Sequence, residues 1–238
     1  MRVKVPKPLH GWRAFAGEVG IIVVGVLIAL GAEQIVRSAQ QRQDAKQADD
    51  IIRAELGLNL GRLQSRDEIR ECVDKRIGEI QAILDGAADN PAIVTPSWIG
   101  RPQYWAFLSG RWEAETQAGN TALIDRHDLA EYGLMYAKMG DLLNEMASEQ
   151  TDWAKLRTLE HLKRLDSEAA FELNTALQDA RYRNWRLALV TSQVFQQAKP
   201  LDLHALKNVT PGSRAICLPM TTTRAEANRI SIWPFGEP

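Results

Sequence analysis

The 238-residue sequence has few residues of the kinds that carry recognisable chemistry. Its two cysteines, Cys72 and Cys217, are too few for a disulfide scaffold, and their spacing matches no zinc motif. The net charge of -1 provides no overall field that favours nucleic acid or acidic partners. Serine nucleophile elbows, phosphate-binding loops, dinucleotide-binding glycine patterns and zinc-protease motifs are all absent. We therefore expect no cofactor, no metal, no catalytic residues and no enzyme activity.

What the sequence does contain is a run of 14 residues, Val19–Ala32, without one polar side chain. A straight transmembrane helix needs about 20 apolar residues, so this run alone is short. The segment 12–36 is long enough, with Trp12 in the N-terminal interface and Glu18 and Glu33 near the two ends, where charge costs least. The sequence predicts one transmembrane helix over residues 12–36.

Two alternatives to this anchor stay open. A cleaved signal peptide would explain the basic N-terminus and the small residues flanking Leu30, and a buried helix of a soluble protein would explain the apolar run. The anchor is favoured because the helical pattern runs through Gly31 into 33–42 without a turn signal. Glu18 also occupies a place where a signal peptide carries positive charge.

The distribution of basic residues predicts how the chain is oriented. Four of them precede the apolar run with no acid among them, namely Arg2, Lys4, Lys7 and Arg13. Beyond the run, basic and acidic residues are mixed. The positive-inside rule then makes 1–11 a short cytoplasmic N-terminus. We expect a single-pass protein of the inner membrane, with its C-terminal domain in the periplasm.

One face of the predicted membrane helix combines small residues with acids: Glu18, Gly25, Ala29, Ala32 and Glu33. Small residues let helices approach closely, and an acid at membrane depth prefers a protein interior to lipid. This face predicts a contact with a second copy of the chain or with a membrane-protein partner, in addition to the lipid bilayer. The alternative is that small residues are simply common in membrane helices and that the acids reach the interfaces.

Two stretches resemble an uncharacterised family of bacterial single-pass membrane proteins. The first joins Gly17-Glu18-Val19 to the core 25–34, which reads GVLIALGAEQ. The second is 112–136, with QAGN at 117–120 and LID at 123–125. Many family members have Asn-Trp where this chain has Glu33-Gln34. The resemblance implies an anchored helical protein of unknown function, and no catalytic residue carries over from it.

Beyond the membrane segment the pattern is helical almost throughout, so we predict an all-α fold. Residues 37–50 form a solvated helical stalk, 51–200 an antiparallel helical bundle, and 201–238 an irregular tail packed on that bundle, with short strands as one option. Apolar residues recur every three or four positions in three long stretches, from 52 to 84, from 129 to 153 and from 170 to 194.

Helix ends and the loop between them follow from local signals. We expect the first long helix, or two helices in line, to end at Asp85-Gly86, and a short helix to begin near Pro102. A second short helix ends at Gly119, Asp125 caps the next helix, and Ser167 begins the last.

Four candidate sites are weighed against plainer explanations. Cys72 and Cys217 form a disulfide in an oxidising compartment, or remain two buried thiols. His127 and Glu131 share a helix face, but no second ligand pair for a metal is visible. The run 181–186, which alternates basic with aromatic residues, could bind an anionic lipid or a cell-wall polymer. The plainer explanation is that its guanidinium groups stack on its aromatic rings at a helix face. The aromatic cluster 98–112 lines a pocket or belongs to the core.

These observations favour a structural or interaction protein of the cell envelope that docks a partner or self-associates. The alternative is a ligand-binding sensor. Because the cytoplasmic side is too short for an output domain, such a sensor would signal through a membrane partner.

Overall fold

The computed structural model describes residues 12–89, 91–206 and 211–230, and within them the protein is all-helical, as predicted. The helices are α1 (Trp12–Asp67), α2 (Arg70–Asp89), α3 (Gly110–Ala118), α4 (Arg126–Leu156), α5 (Ser167–Ala198) and α6 (Arg224–Ile230). Short 3₁₀ turns occur at Asn120–Leu123, Arg157–Glu160 and Pro211–Cys217. The predicted cytoplasmic segment 1–11 and the end of the tail, 231–238, lie outside the described residues.

Helices α1 and α2 form one rod with a short break. The amide of Glu68 still donates to the carbonyl of Gln64 at 3.0 Å, so the helical path continues across the break. Of the two predicted arrangements, one long helix or two helices in line, the structure has two helices in line. The predicted end at Asp85-Gly86 is wrong, because α2 continues to Asp89. Ala87 is buried against the core, and this packing carries the helix past Gly86.

The rod, α4 and α5 make a three-helix bundle. Hydrogen bonds between α1 and α4 join residues that are 79 to 83 positions apart, from Asp49 to Arg66 along the rod, so these helices run parallel. Between α4 and α5 the separations fall from 66 at Glu131 to 31 at Asp152, which is the antiparallel arrangement. The predicted bundle is confirmed, with α5 antiparallel to both neighbours. The ends of its last two helices also agree with prediction, since Asp125 caps α4 and α5 begins at Ser167.

Two apolar cores lie along the bundle. The lower core is the one nearer the apolar segment, and its members include Ile52, Leu56, Leu60, Leu63, Met135, Met139, Met146, Leu187 and Val194. The upper core includes Val73, Ile77, Ile80, Trp153, Leu156, Leu159, Leu173, Leu177 and Ile216. The predicted apolar stripe of α1 and α2 is buried at every position from Ile52 to Leu84.

The buried face of α4 differs slightly from its prediction. Tyr132, Met139, Met146 and Trp153 are buried as expected, but the predicted positions Tyr136, Leu143 and Gln150 are only partly buried. Their places are taken by Met135, Leu142 and Glu149. The buried stripe is therefore displaced by one residue at three turns of α4, and Glu149 occupies one of the buried positions.

Residues 91–109, here called the strap, run in extended form back along the rod. The predicted helix near Pro102 is wrong, because the side chains of Arg76, Arg62 and Asn59 donate to successive strap carbonyls. From Ile99 to Ala106 an extended chain covers roughly 23 Å. From Arg76 to Arg62 the rod covers roughly 21 Å, so the two elements stay in register.

The tail packs on the upper core, as predicted for Ile216, which is 1% exposed. Its described part forms a 3₁₀ turn and the short helix α6. The suggestion of short strands is not supported within residues 211–230, where none forms.

Candidate functional site

The first part of α1 is an apolar helix that the rest of the chain does not cover. An 18-residue window in it has a mean hydropathy of 2.3, and none of that window is buried. Ile21 is 77% exposed and Ile28 is 67% exposed. Burial begins only at Ala45 and Ala48, where the bundle starts. Among the described residues, one helix near the N-terminus is therefore long and apolar enough to cross a membrane.

The predicted contact face lies on the far side of α1 from the bundle core. Gly25 and Ile52 are 27 residues apart, which at 3.6 residues per turn is seven and a half turns. A Cβ built on Gly25 would meet nothing within 4 Å, so this face is open for close approach. Ala29, Ala32 and Glu18 are exposed as well. Glu33 is already paired with Arg37 at 2.5 Å, one turn further along the helix.

Cys72 of α2 and Cys217 of the tail are joined in a disulfide, with their Cα atoms 4.9 Å apart. One turn away, the buried guanidinium of Arg76 donates to the carbonyls of Ile99 and Leu218 and pairs with Glu79 at 2.9 Å. Burial lowers the pKa of Arg76, and the hydrogen bond that Arg76 donates to Glu79 opposes this shift. The disulfide and this arginine together fix the strap and the tail to α2.

A polar layer, Arg66, Glu149 and Asn184, separates the lower from the upper core. Arg66 donates to Glu149 at 2.6 Å and to the side-chain oxygen of Asn184 at 2.9 Å. Asn184 in turn donates to Asp74 at 2.6 Å. Burial raises the pKa of Glu149, although the charge and hydrogen bond of Arg66 act in the opposite direction. The layer lies where α1 gives way to α2, so polar contacts from α4 and α5 surround the break in the rod.

Tyrosines of α4 fix the lower end of the bundle. Tyr132 donates to Asp49 at 2.8 Å and accepts from Arg53 at 2.9 Å. Burial raises the pKa of Tyr132 to about 12, with a further contribution from Asp49. One turn on, Tyr136 donates to Glu55 at 2.8 Å. Glu55 also accepts the backbone amides of residues 111 and 112 and so caps α3.

A cleft of about 260 Å³ opens between α1 and the turn that enters α4. Its charged lining consists of Arg42, Lys46 and Asp49 from α1, with Asp125 and Asp128 on the opposite wall. Leu123 forms part of the lining and is 56% exposed. Sequence reasoning did not find this cleft, because its two walls are about 80 residues apart along the chain.

The metal and basic-patch candidates are not assembled into sites. The described residues contain no group of three histidine, cysteine or carboxylate side chains that could hold a metal, and Glu131 accepts instead from Gln197 at 3.2 Å. In the run 181–186, Arg183 pairs with Asp152 at 2.7 Å and with Glu145 at 2.9 Å. These guanidinium contacts tie α5 to α4.

The run 181–186 is also far from the apolar segment. Asn184 contacts Arg66, which lies 30 residues beyond Val36 on the helical rod, or roughly 45 Å. A lipid of a bilayer crossed by the apolar segment would therefore be out of its reach.

The aromatic cluster 98–112 is distributed along the strap and into α3. Trp98 is buried, and its indole donates to the carbonyl of Ala215 at 3.1 Å. Trp112 stacks on Tyr136 with ring centroids 5.1 Å apart. These rings pack the strap and α3 against the bundle and tail. This packing agrees with the expectation that the cluster belongs to the core, not with the expectation that it lines a pocket.

The fold and these surfaces define an all-helical protein built on one long rod, with an exposed apolar N-terminal segment. No protein-family model matches the chain, and no curated protein or solved structure matches it either.

Proposed function

We propose that this chain is a membrane-anchored interaction protein of the bacterial cell envelope, whose membrane helix is both anchor and contact surface. The observation that carries the proposal is the continuity of α1. Its exposed apolar segment and the centre of the bundle belong to the same 56-residue helix. A contact made in the membrane is therefore transmitted to the bundle through an uninterrupted helix. The resemblance to single-pass bacterial proteins supports the same assignment.

Two independent features support a bundle outside the cytoplasm. The basic residues before the apolar run favour a cytoplasmic N-terminus under the positive-inside rule. The Cys72–Cys217 pair favours an oxidising compartment, because disulfides rarely persist in the cytosol. If α1 crosses the membrane once, both features favour the same topology. In this topology the chain is anchored in the inner membrane and the bundle lies in the periplasm.

The position of the contact face favours association through the membrane. Gly25 and Ala29 point away from the direction in which α4 and α5 pack on α1. A second helix can therefore approach this face without meeting the chain's own bundle. Glu18, on the same face, gains a protein neighbour in place of lipid. A second copy of the chain or a different membrane protein fits this geometry.

Site-specific photo-crosslinking in living cells tests the proposal. A crosslinking amino acid at Ala29 is expected to capture a protein partner or a second copy. The matched control is Leu27, which lies near the opposite side of the same helix turn. Equal products from both positions, or none from either, would contradict a specific contact face.

The cleft near Arg42 favours a ligand-binding sensor as a second candidate function. Its volume of about 260 Å³ is slightly below the range typical of small-molecule pockets, and its lining combines five charged with three apolar side chains. A sensor of soluble ligands predicts a ligand-dependent rise in melting temperature that persists when the membrane contact is lost.

A further inference from the structure

The cleft near Arg42 lies at the end of the bundle that faces the apolar segment. Helix α4 begins here and runs parallel to α1, away from that segment, so the turn before α4 is among the lowest parts of the bundle. Arg42 is six residues beyond Val36, or roughly 9 Å along the helix, and Asp49 is roughly 20 Å beyond it. Leu123 projects an exposed apolar side chain at the same end.

The lower edge of the cleft, at Arg42, is close to the height of lipid headgroups. The interfacial layer adds roughly 5–8 Å to each side of the hydrocarbon core, and helix tilt lowers every residue on the rod. Arginine and lysine extend toward the interface from helix positions just outside the hydrocarbon. Arg42 and Lys46, which are one turn apart on α1, are therefore placed to meet phosphate groups of the bilayer.

The charges of the cleft are not satisfied by one another. Within the described part of the chain, neither Arg42 nor Lys46 forms an ion pair within 4.0 Å, although three carboxylates line the same cleft. Two of these carboxylates are held in position. Asp49 accepts from the hydroxyl of Tyr132, and Asp125 accepts the backbone amides of His127 and Asp128.

This arrangement selects one kind of headgroup. A purely anionic headgroup would gain the two cations but would be placed beside three carboxylates, of which Asp49 and Asp128 are also attracted by Arg53. A headgroup that carries a phosphate and a primary ammonium has a partner for both sets of charges. Choline also carries a positive charge, but it has no N–H to donate to a carboxylate.

We propose that the cleft binds the headgroup of a phosphatidylethanolamine lipid, with its phosphate at Arg42 and Lys46 and its ammonium at Asp125 and Asp128. The inference rests on the proposed membrane anchoring, since it requires the cleft to meet a bilayer. The bound lipid would fix the height and rotation of the bundle above the membrane.

The test uses the full chain, purified in detergent, freed of lipid and titrated with short-chain phosphatidylethanolamine, phosphatidylcholine and phosphatidylglycerol. Binding is followed by the rise in melting temperature. The double variant Arg42→Gln/Lys46→Gln is expected to bind phosphatidylethanolamine about tenfold more weakly or worse, because charge-assisted hydrogen bonds are lost. The matched control, Arg70→Gln/Lys75→Gln, removes the same two charges from α2 and is expected to bind as the unaltered chain does.

A second variant separates a zwitterion site from a simple anion site. Asp128→Asn is expected to remove most of the preference for phosphatidylethanolamine over phosphatidylcholine while keeping phosphate binding. Three results would overturn the proposal: tighter binding of phosphatidylglycerol than of phosphatidylethanolamine, equal loss in the α2 control, or soluble phosphoethanolamine binding as tightly as the lipid. Far-UV circular dichroism checks that each variant is folded.

The lipid result is independent of the proposed contact face. Loss of lipid binding with retained crosslinking at Ala29 rejects only the headgroup site. Loss of crosslinking with retained lipid binding rejects only the protein contact.

Discussion

Removing one charge from the polar layer is expected to destabilise the bundle strongly. Glu149 is fully buried, and its ion pair with Arg66 is 2.6 Å long with both side chains at most 4% exposed. In Glu149→Leu the guanidinium of Arg66 stays buried without its counter-charge, which costs about 3–5 kcal/mol. For a domain of this size the expected fall in melting temperature is about 6–20 °C.

The double variant Arg66→Met/Glu149→Leu removes both charges together. It is expected to recover most of the loss, because a buried ion pair replaced by apolar side chains of similar size is often neutral or stabilising. A residual cost of about 1 kcal/mol is expected from Asn184, which loses a donor but keeps its bond to Asp74.

The assay is thermal unfolding of the full chain in detergent, followed by circular dichroism. Asp67→Asn is the matched control, because Asp67 forms an exposed 3.6 Å pair with Arg70 next to the same break in the rod. The control is expected to change the free energy of unfolding by less than about 1 kcal/mol. A Glu149→Leu variant no less stable than this control would refute the reasoning, because it would show that the pair is not buried in the protein.

Three further predictions concern the tail, a helix cap and a buried phenol. Cys72→Ser/Cys217→Ser is expected to lower the free energy of unfolding by about 2–5 kcal/mol, because the bridge closes a long loop; an equally stable double variant in chemical denaturation contradicts this. Asp125→Ala is expected to cost about 1 kcal/mol through the lost cap of α4, measured in the same way, and Asp125→Asn is expected to cost less. The pKa of Tyr132 is raised from 10.0 to about 12, so its contribution to stability is complete below pH 10 and is lost as the pH rises toward 12. Tyr132→Phe is therefore expected to flatten the fall of melting temperature over that interval, and an unchanged profile contradicts the assignment.

Elements with a regular apolar period were predictable from the sequence. The stripe from Ile52 to Leu84 predicted the buried face of the rod, and Gly119 and Asp125 predicted a helix end and a cap. Each of these signals is local, since one turn of helix contains the residues that produce it. The exposed apolar segment is predictable for the same reason, because its composition alone identifies it.

Elements that depend on distant partners were not predictable in this way. The strap contains Pro102 and several aromatic residues that permit a short helix, but Arg62 and Arg76 donate to its carbonyls and hold it extended. Glu149 stands at a core position because Arg66, 83 residues earlier, neutralises it there. The spacing of apolar residues in the strap and in α4 contains no information about these distant partners.

The cleft shows the same limit for the candidate site. Arg42 and Asp125 are ordinary surface charges in the sequence, and only the parallel packing of α4 on α1 brings them to one cleft. The predicted contact face of α1 differs, because one helix contains all of its residues and its small residues are visible in the sequence itself.

The measurement that tests the central claim most directly is the topology of the full chain in the inner membrane. Alkaline phosphatase fused after the last residue is expected to be active, because the proposed topology places the bundle in the periplasm and the single span of α1 in the membrane. An inactive phosphatase, together with a fluorescent cytoplasmic reporter at the same position, would contradict the account.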